Sequence, residues 1–304
     1  MPNADAPLFR DFEARELPTS RGNLRAMIGG TGPPVLLMHG YPQTHLMWHA
    51  VAPLLAESHT VVATDLAGYG DSLRPAPAPD HQPHSKRAMA LDQVAAMTHL
   101  GFDRFAVVGH DRGGRVAYRM TLDHPDRVER LAVLDIVPTA EVWRRADAAF
   151  ARAYWHWGFL AQPAPLPERL ITADPQAYFD LHVRGSLGLG AEPGRYPAEV
   201  MAAYRELLDD PTLVQAVCED YRAGASIDIE HDDADLAAGR RIDCPTLVLW
   251  GTRGALPRLY GDVIDVWRPW APDVRGAAID ASHFLAEDRP QETADALLAF
   301  LDPS

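Results

Sequence analysis

Hydrophobic positions in this chain come in short unbroken blocks. Val35-Leu36-Leu37-Met38, Thr60-Val61-Val62-Ala63-Thr64, Phe105-Ala106-Val107-Val108, Leu131-Ala132-Val133-Leu134 and Pro245-Thr246-Leu247-Val248-Leu249-Trp250-Gly251 show little polar alternation. Such blocks suit strands buried on both faces of a parallel sheet. Leu24–Ile28 and Ala277–Ile279 read as further strands, the second weaker. Helical stretches separate them: Trp48–Ala56, an amphipathic Met89–Leu100, Arg115–Met120 and a closing Pro290–Leu301. Alternating strands and helices predict an α/β fold whose active groups gather at the carboxyl ends of the strands.

The rhythm stops after Pro138. From there to about Gly239 no buried strand is evident, and Trp, Tyr, Arg and Pro are frequent. This segment reads as a helical insertion packed over the sheet. The predicted division is a core of residues 1–137 and 239–304, and a helical lid of residues 138–238.

One turn concentrates the chemistry. The strand at Phe105–Val108 runs into Gly109-His110-Asp111-Arg112-Gly113-Gly114-Arg115 and then into a helix. This has the form of a nucleophile elbow, with Asp111 where hydrolases built this way usually carry serine. A bare N-cap is the plainer reading of an aspartate there. Asp111 is expected exposed at the head of its helix, where N–H groups favour an anion. Two other groups fall at strand ends, Asp135 and His283. Nucleophile, acid and base then follow in chain order.

A carboxylate nucleophile displaces a leaving group from an sp3 carbon and becomes an ester. His283 would draw a proton from the water that attacks this ester, and Asp135 would hold the imidazole. Serine would form a stable ether instead. Backbone N–H groups of Tyr41, in the loop His39-Gly40-Tyr41-Pro42, and of Arg112 are placed for the oxyanion.

Composition narrows the partners. The 304 residues carry a formal net charge of −14, which argues against nucleic acid and anionic membranes. An anionic substrate must therefore be held by local arginines. Two cysteines, Cys218 and Cys244, read as free buried thiols of a reducing compartment. Met1 to Arg10 lacks the blocks of a signal peptide, so a soluble cytoplasmic protein is expected.

The motifs together resemble an α/β-hydrolase of the dehalogenase and epoxide-hydrolase branch, specifically the fluoroacetate (haloacetate) dehalogenases. The resemblance runs over nearly the whole chain. Besides the elbow and the His39 loop it rests on Leu134-Asp135-Ile136-Val137-Pro138-Thr139, Tyr154-Trp155-His156-Trp157, Gln162-Pro163-Ala164-Pro165 and Asp220-Tyr221-Arg222-Ala223-Gly224. It implies the α/β-hydrolase fold, with a mostly parallel sheet and a helical lid inserted after the strand ending near Asp135. It implies hydrolysis of haloacetates to glycolate and halide, with haloacid and water as partners. Arg112 and Arg115 would bind the substrate carboxylate, a role that suits planar guanidinium. His156, Trp157 and Tyr221 would hydrogen-bond the departing halide. A homodimer is implied by resemblance only.

Ser282 departs from the glycine many relatives carry before the base. Asp280 is a poor competitor to Asp135. The stretch after Trp250-Gly251, where many α/β-hydrolases place the acid, contains none. No cofactor is expected, and no metal, although His39, His45 and His49 invite one. The alternative is an epoxide hydrolase using the same Asp, Asp and His, with Tyr154 and Tyr221 as acids. Paired arginines speak against that for neutral epoxides.

Overall fold

The computed structural model describes residues 8–185, 187–190 and 196–302. Its sheet has eight strands: β1 (Phe12–Thr19), β2 (Gly22–Gly29), β3 (Pro34–Met38), β4 (Thr60–Thr64), β5 (Phe105–His110), β6 (Val128–Leu134), β7 (Thr246–Gly251) and β8 (Val274–Ile279). Their spatial order is β1-β2-β4-β3-β5-β6-β7-β8. The β1–β2 and β2–β4 pairs are antiparallel, and every pair from β4 to β8 is parallel. The apolar blocks become the central strands, and every residue of β5 is buried. Helices cover both faces there, so no alternation is needed.

Strand β1 was not expected. Leu17 is its one buried residue, and Glu13, Arg15 and Glu16 interrupt any apolar pattern. It is an edge strand, where charges and Pro18 discourage pairing with another chain. The expected helix Trp48–Ala56 is instead a 3-10 turn, His45–Trp48, and one helical turn, Ala52–Leu55. Pro53 has no N–H to donate back to residue 49, and fits only in a helix's first turn.

The helix expected at Met89 begins at Lys86, where Ser85 accepts from the N–H of Ala88. It is not simply amphipathic, because Lys86, Asp92 and Gln93 are buried in it. Each has a partner far away in sequence. Gln93 accepts from Thr64, Asp92 pairs with Arg21, and Lys86 pairs with Asp220 and Asp228.

Every described element between β6 and β7 is helical. One of them, Phe179–Arg184, is a π-helix. Pro290–Leu301 closes the chain as expected. No helix among the described residues is long and apolar enough to cross a membrane.

Candidate active site

The turn after β5 is tight because two glycines allow it. A Cβ on Gly109 would lie 2.4 Å from the Gly113 carbonyl oxygen, and one on Gly113 2.4 Å from that of His39. Asp111 follows at φ +44° and ψ −113°, outside the ordinary left-handed region, and the helix Arg112–Asp123 starts immediately. Its side chain makes no capping bond to that helix. Oδ2 instead accepts from the N–H of Tyr41 at 3.1 Å, which speaks against a bare N-cap. Nor is Asp111 exposed, contrary to expectation: helices packed above the sheet leave it 7% accessible.

Asp135 follows β6, also at positive φ. Its Oδ1 accepts from the N–H of Gly251 at 2.9 Å, and its Oδ2 lies 2.6 Å from His283 Nδ1. Asp280 sits at the surface beside Arg253 and Arg289. In the loop after β8, where many relatives carry glycine, the Ser282 N–H donates to Asp288 Oδ2 at 2.8 Å and its hydroxyl accepts from the Phe284 N–H at 3.2 Å. The His283 carbonyl lies 2.9 Å from His110 Nε2.

Burial pushes the Asp111 carboxyl upward, but His283, Arg112 and Arg115 outweigh it and hold its pKa below the ordinary 3.8. Burial pushes His283 downward. The hydrogen bond and charge of Asp135, with the charge of Asp111, outweigh this and raise it above 6.5. Asp111 is thus an anion at neutral pH.

Asp111 and His283 share a cavity of ≈ 20 Å3, the room open to the centre of a water-sized sphere. Arg115, His156 and Trp157 line it, as do Tyr154 and Tyr260. Arg112 and Tyr221 adjoin this lining, each packed against Trp157 and each within electrostatic reach of Asp111. The Arg112 guanidinium lies 4.2 Å from the Tyr221 ring centre and 5.4 Å from that of Trp157. Arg115 is 4.5 Å from the Trp157 ring centre, so the two cations flank one indole.

The arginines differ in their bonding. Arg112 grips Asp220 through Nε and Nη2, leaving Nη1 without a partner. Arg115 donates from Nη1 to the Val137 carbonyl and Thr139 hydroxyl, leaving Nε without one. Neither is the exposed surface ion pair that a helix arginine usually makes.

His156 is buried, and its Nδ1 has no partner. Burial, with the nearby His182, His283 and Arg112, keeps its pKa well below 6.5, so it is neutral. Its ring centre lies 5.7 Å from that of Tyr221, and Trp157 lies 5.8 Å from Tyr221.

No group of three or more His, Cys, Asp or Glu suited to a metal is found among the described residues. His45 bonds Asp65, His49 the Leu46 carbonyl, and His39 the Gly40 carbonyl and the Leu66 N–H. Both cysteines are free, but Cys244 is only half-buried.

Residues 33–290 match the family model described as alpha/beta hydrolase fold. The chain is an α/β hydrolase. It is 46% identical to a fluoroacetate dehalogenase from Burkholderia sp over 97% of this chain and 95% of that protein. A soluble epoxide hydrolase from Corynebacterium sp. (strain C12) is 33% identical, over 90% and 92%. The solved structure of ALR0039 from Nostoc sp PCC 7120 superposes with a TM-score of 0.93 at 49% identity, over 97% of this chain and all of that one. The hydrolase therefore belongs with the fluoroacetate dehalogenases and, at greater distance, the epoxide hydrolases.

Three neighbours of the candidate site went unread in the sequence. Asp220 begins Asp220-Tyr221-Arg222-Ala223-Gly224, but nothing local marks it as the partner of Arg112. Lys86 looked like an ordinary helix lysine. His182 carried no local signal, although its ring centre lies 4.7 Å from that of His156.

Proposed function

We propose that this α/β hydrolase is a haloacetate dehalogenase that converts fluoroacetate or chloroacetate to glycolate and halide through an ester of Asp111. The observation that carries this reading is the Asp111 carboxylate. It is ionised and buried, turned away from the helix it precedes, and held by the Tyr41 N–H in a cavity shared with His283.

Asp111 attacks the halogen-bearing carbon. The C–O bond forms as the C–halogen bond breaks, and the halide leaves with the bonding pair. Donors for that halide are His156, Trp157 and Tyr221, each able to offer an N–H or O–H. Arg112 and Arg115 hold the substrate carboxylate with the N–H groups that have no protein partner. Water then attacks the ester carbonyl of Asp111, and His283 takes its proton. The N–H groups of Tyr41 and Arg112 stabilise the oxyanion; as it collapses, the departing glycolate oxygen takes the proton back from His283, and the Asp111 acid so formed loses its own proton to restore the carboxylate.

Esterification prepares the second step electrostatically. The Asp111 charge helps keep His283 protonated. Once Asp111 is an ester that charge is gone, and His283 releases its proton more readily. Asp135 stabilises the imidazolium that forms next. We take residues 138–238 as the lid, and the protein as a cytoplasmic homodimer whose two unpaired cysteines suit a reducing compartment.

Halide release from haloacetate by the purified protein tests the reaction. A single turnover in heavy-oxygen water tests the route, with the label expected first in Asp111. Epoxide opening without halide release would assign the site to the epoxide hydrolases. Label appearing only in glycolate would mean direct attack by water.

A further inference from the structure

Four charged side chains meet where the core and the lid join, almost without exposure: Lys86, Arg112, Asp220 and Asp228. Lys86 and Arg112 belong to core helices, while Asp220 belongs to the lid helix Pro211–Gly224. Asp220 receives Arg112 Nε at 2.9 Å and Nη2 at 2.8 Å, and its backbone carbonyl receives Nη2 again at 2.9 Å. Lys86 Nζ donates to its Oδ1, and the Tyr69 hydroxyl to its Oδ2 at 2.8 Å. Lys86 is anchored in turn by Asp228, which accepts its N–H at 2.8 Å. Burial opposes ionisation of Asp220, but Arg112 and Lys86 prevail and hold its carboxyl far below the usual range.

Three consequences follow from this bonding. The Arg112 guanidinium is fixed along one edge, and of its five donors only those on Nη1 lack a protein partner. Its charge is largely neutralised, because the group contains two cations and two carboxylates. Arg115, by contrast, has only a carbonyl and a hydroxyl as hydrogen-bond partners, so its charge stays available to a bound anion.

We infer that Asp220, braced by Lys86 and Tyr69, is a positioning residue that aims the free Nη1 of Arg112 at the substrate carboxylate, with Arg112 acting as a fixed directional donor and Arg115 as the charge. This inference rests on the haloacetate reading of the site. It also ties recognition to the lid, because the group that orients Arg112 comes from the lid and its other supports come from the core.

The single variant Asp220→Asn has two opposed effects. It frees the Arg112 fork to turn, yet it also removes a negative charge near the substrate. It further leaves buried cations unpaired, which threatens folding. The double variant Lys86→Met with Asp220→Asn removes one charge of each sign and isolates orientation. We expect its KM for chloroacetate to rise about tenfold, the value of one well-placed hydrogen bond, with kcat changed far less. Chloroacetamide, which has no carboxylate, should keep its kcat/KM. Tyr69→Phe removes one brace without changing charge, and should shift KM the same way by a smaller factor. A wild type inert to chloroacetate overturns the haloacetate reading itself. An active wild type whose double variant keeps its KM, or loses both substrates equally, overturns the positioning role alone.

Discussion

The sheet core and the proposed lid build their halves of the candidate site by different means. In the core, Asp111 and Asp135 are set by backbone: each follows the last residue of a parallel strand, and each takes a positive φ. Their neighbours are N–H groups, of Tyr41 and of Gly251. In the lid, His156, Trp157 and Tyr221 are set by packing of one ring on another and on the arginines beneath. A backbone-built half tolerates little change in its turns but is indifferent to most neighbouring side chains. A packing-built half can be retuned one ring at a time. The core should therefore hold the reaction common to the branch, and the lid should decide which leaving group it serves.

Four measurements would break or sharpen that contrast. The largest effect should come from the core. His283→Asn is expected to lower turnover by about 10^6-fold, the order seen when a hydrolytic triad loses its histidine. Displacement should survive, so intact mass should reveal an accumulating ester on the enzyme. An unmodified, inactive protein would remove His283 from the hydrolytic step.

The lid comes next, and its effect should depend on the halogen. Trp157→Phe removes one N–H and keeps most of the packing. Fluoride is small, basic and hard to expel, so kcat/KM for fluoroacetate should fall by about 10^2–10^3-fold, as for a lost oxyanion donor. Chloroacetate should suffer much less. An unchanged ratio of the two would make Trp157 a packing residue and the lid indifferent to the leaving group.

Arg115→Ala should cost chloroacetate about ten- to a hundredfold in kcat/KM, the range for a charge-assisted hydrogen bond. Chloroacetamide serves as the control, and an equal loss there would mean that Arg115 supports the fold.

The mildest perturbation is pH. Asp111 titrates below its ordinary 3.8 and His283 above its ordinary 6.5. Between them Asp111 can be alkylated while His283 still carries its proton. At about pH 5, between the two reference values, rapid mixing should give a burst of one halide per site followed by a slow steady rate. The slow rate should recover as pH rises and His283 deprotonates. A linear time course without a burst would show that displacement is the slow step.

The same contrast explains what was legible in the sequence. Strand blocks such as Val35–Met38 and turn glycines such as Gly109 and Gly113 act locally, so the sheet and the strand-end positions of Asp111 and Asp135 could be read directly. The lid motifs spoke only through resemblance, because what a ring packs on is decided by chain distant in sequence. Lys86 and Asp220 are 134 residues apart, and nothing local to either predicts their pairing. Strand β1 escaped for a related reason: paired on one edge and mostly exposed, it needs no apolar block. The helix expected at Trp48–Ala56 is broken because Pro53 confines it to one turn at Ala52–Leu55.

The backbone at Asp111 has a consequence for how this protein can evolve. An aspartate at φ +44° and ψ −113° spends roughly 1–3 kcal/mol on strain that glycine would largely avoid. On the proposed mechanism chemistry keeps the residue there while stability pulls it elsewhere. A library selected for heat resistance alone should lose aspartate at position 111, with glycine its commonest successor. A library selected for heat resistance and halide release together should keep Asp111 and gather its stabilising changes far from the elbow. Sequencing the two pools would show how strongly the reaction holds this turn in place.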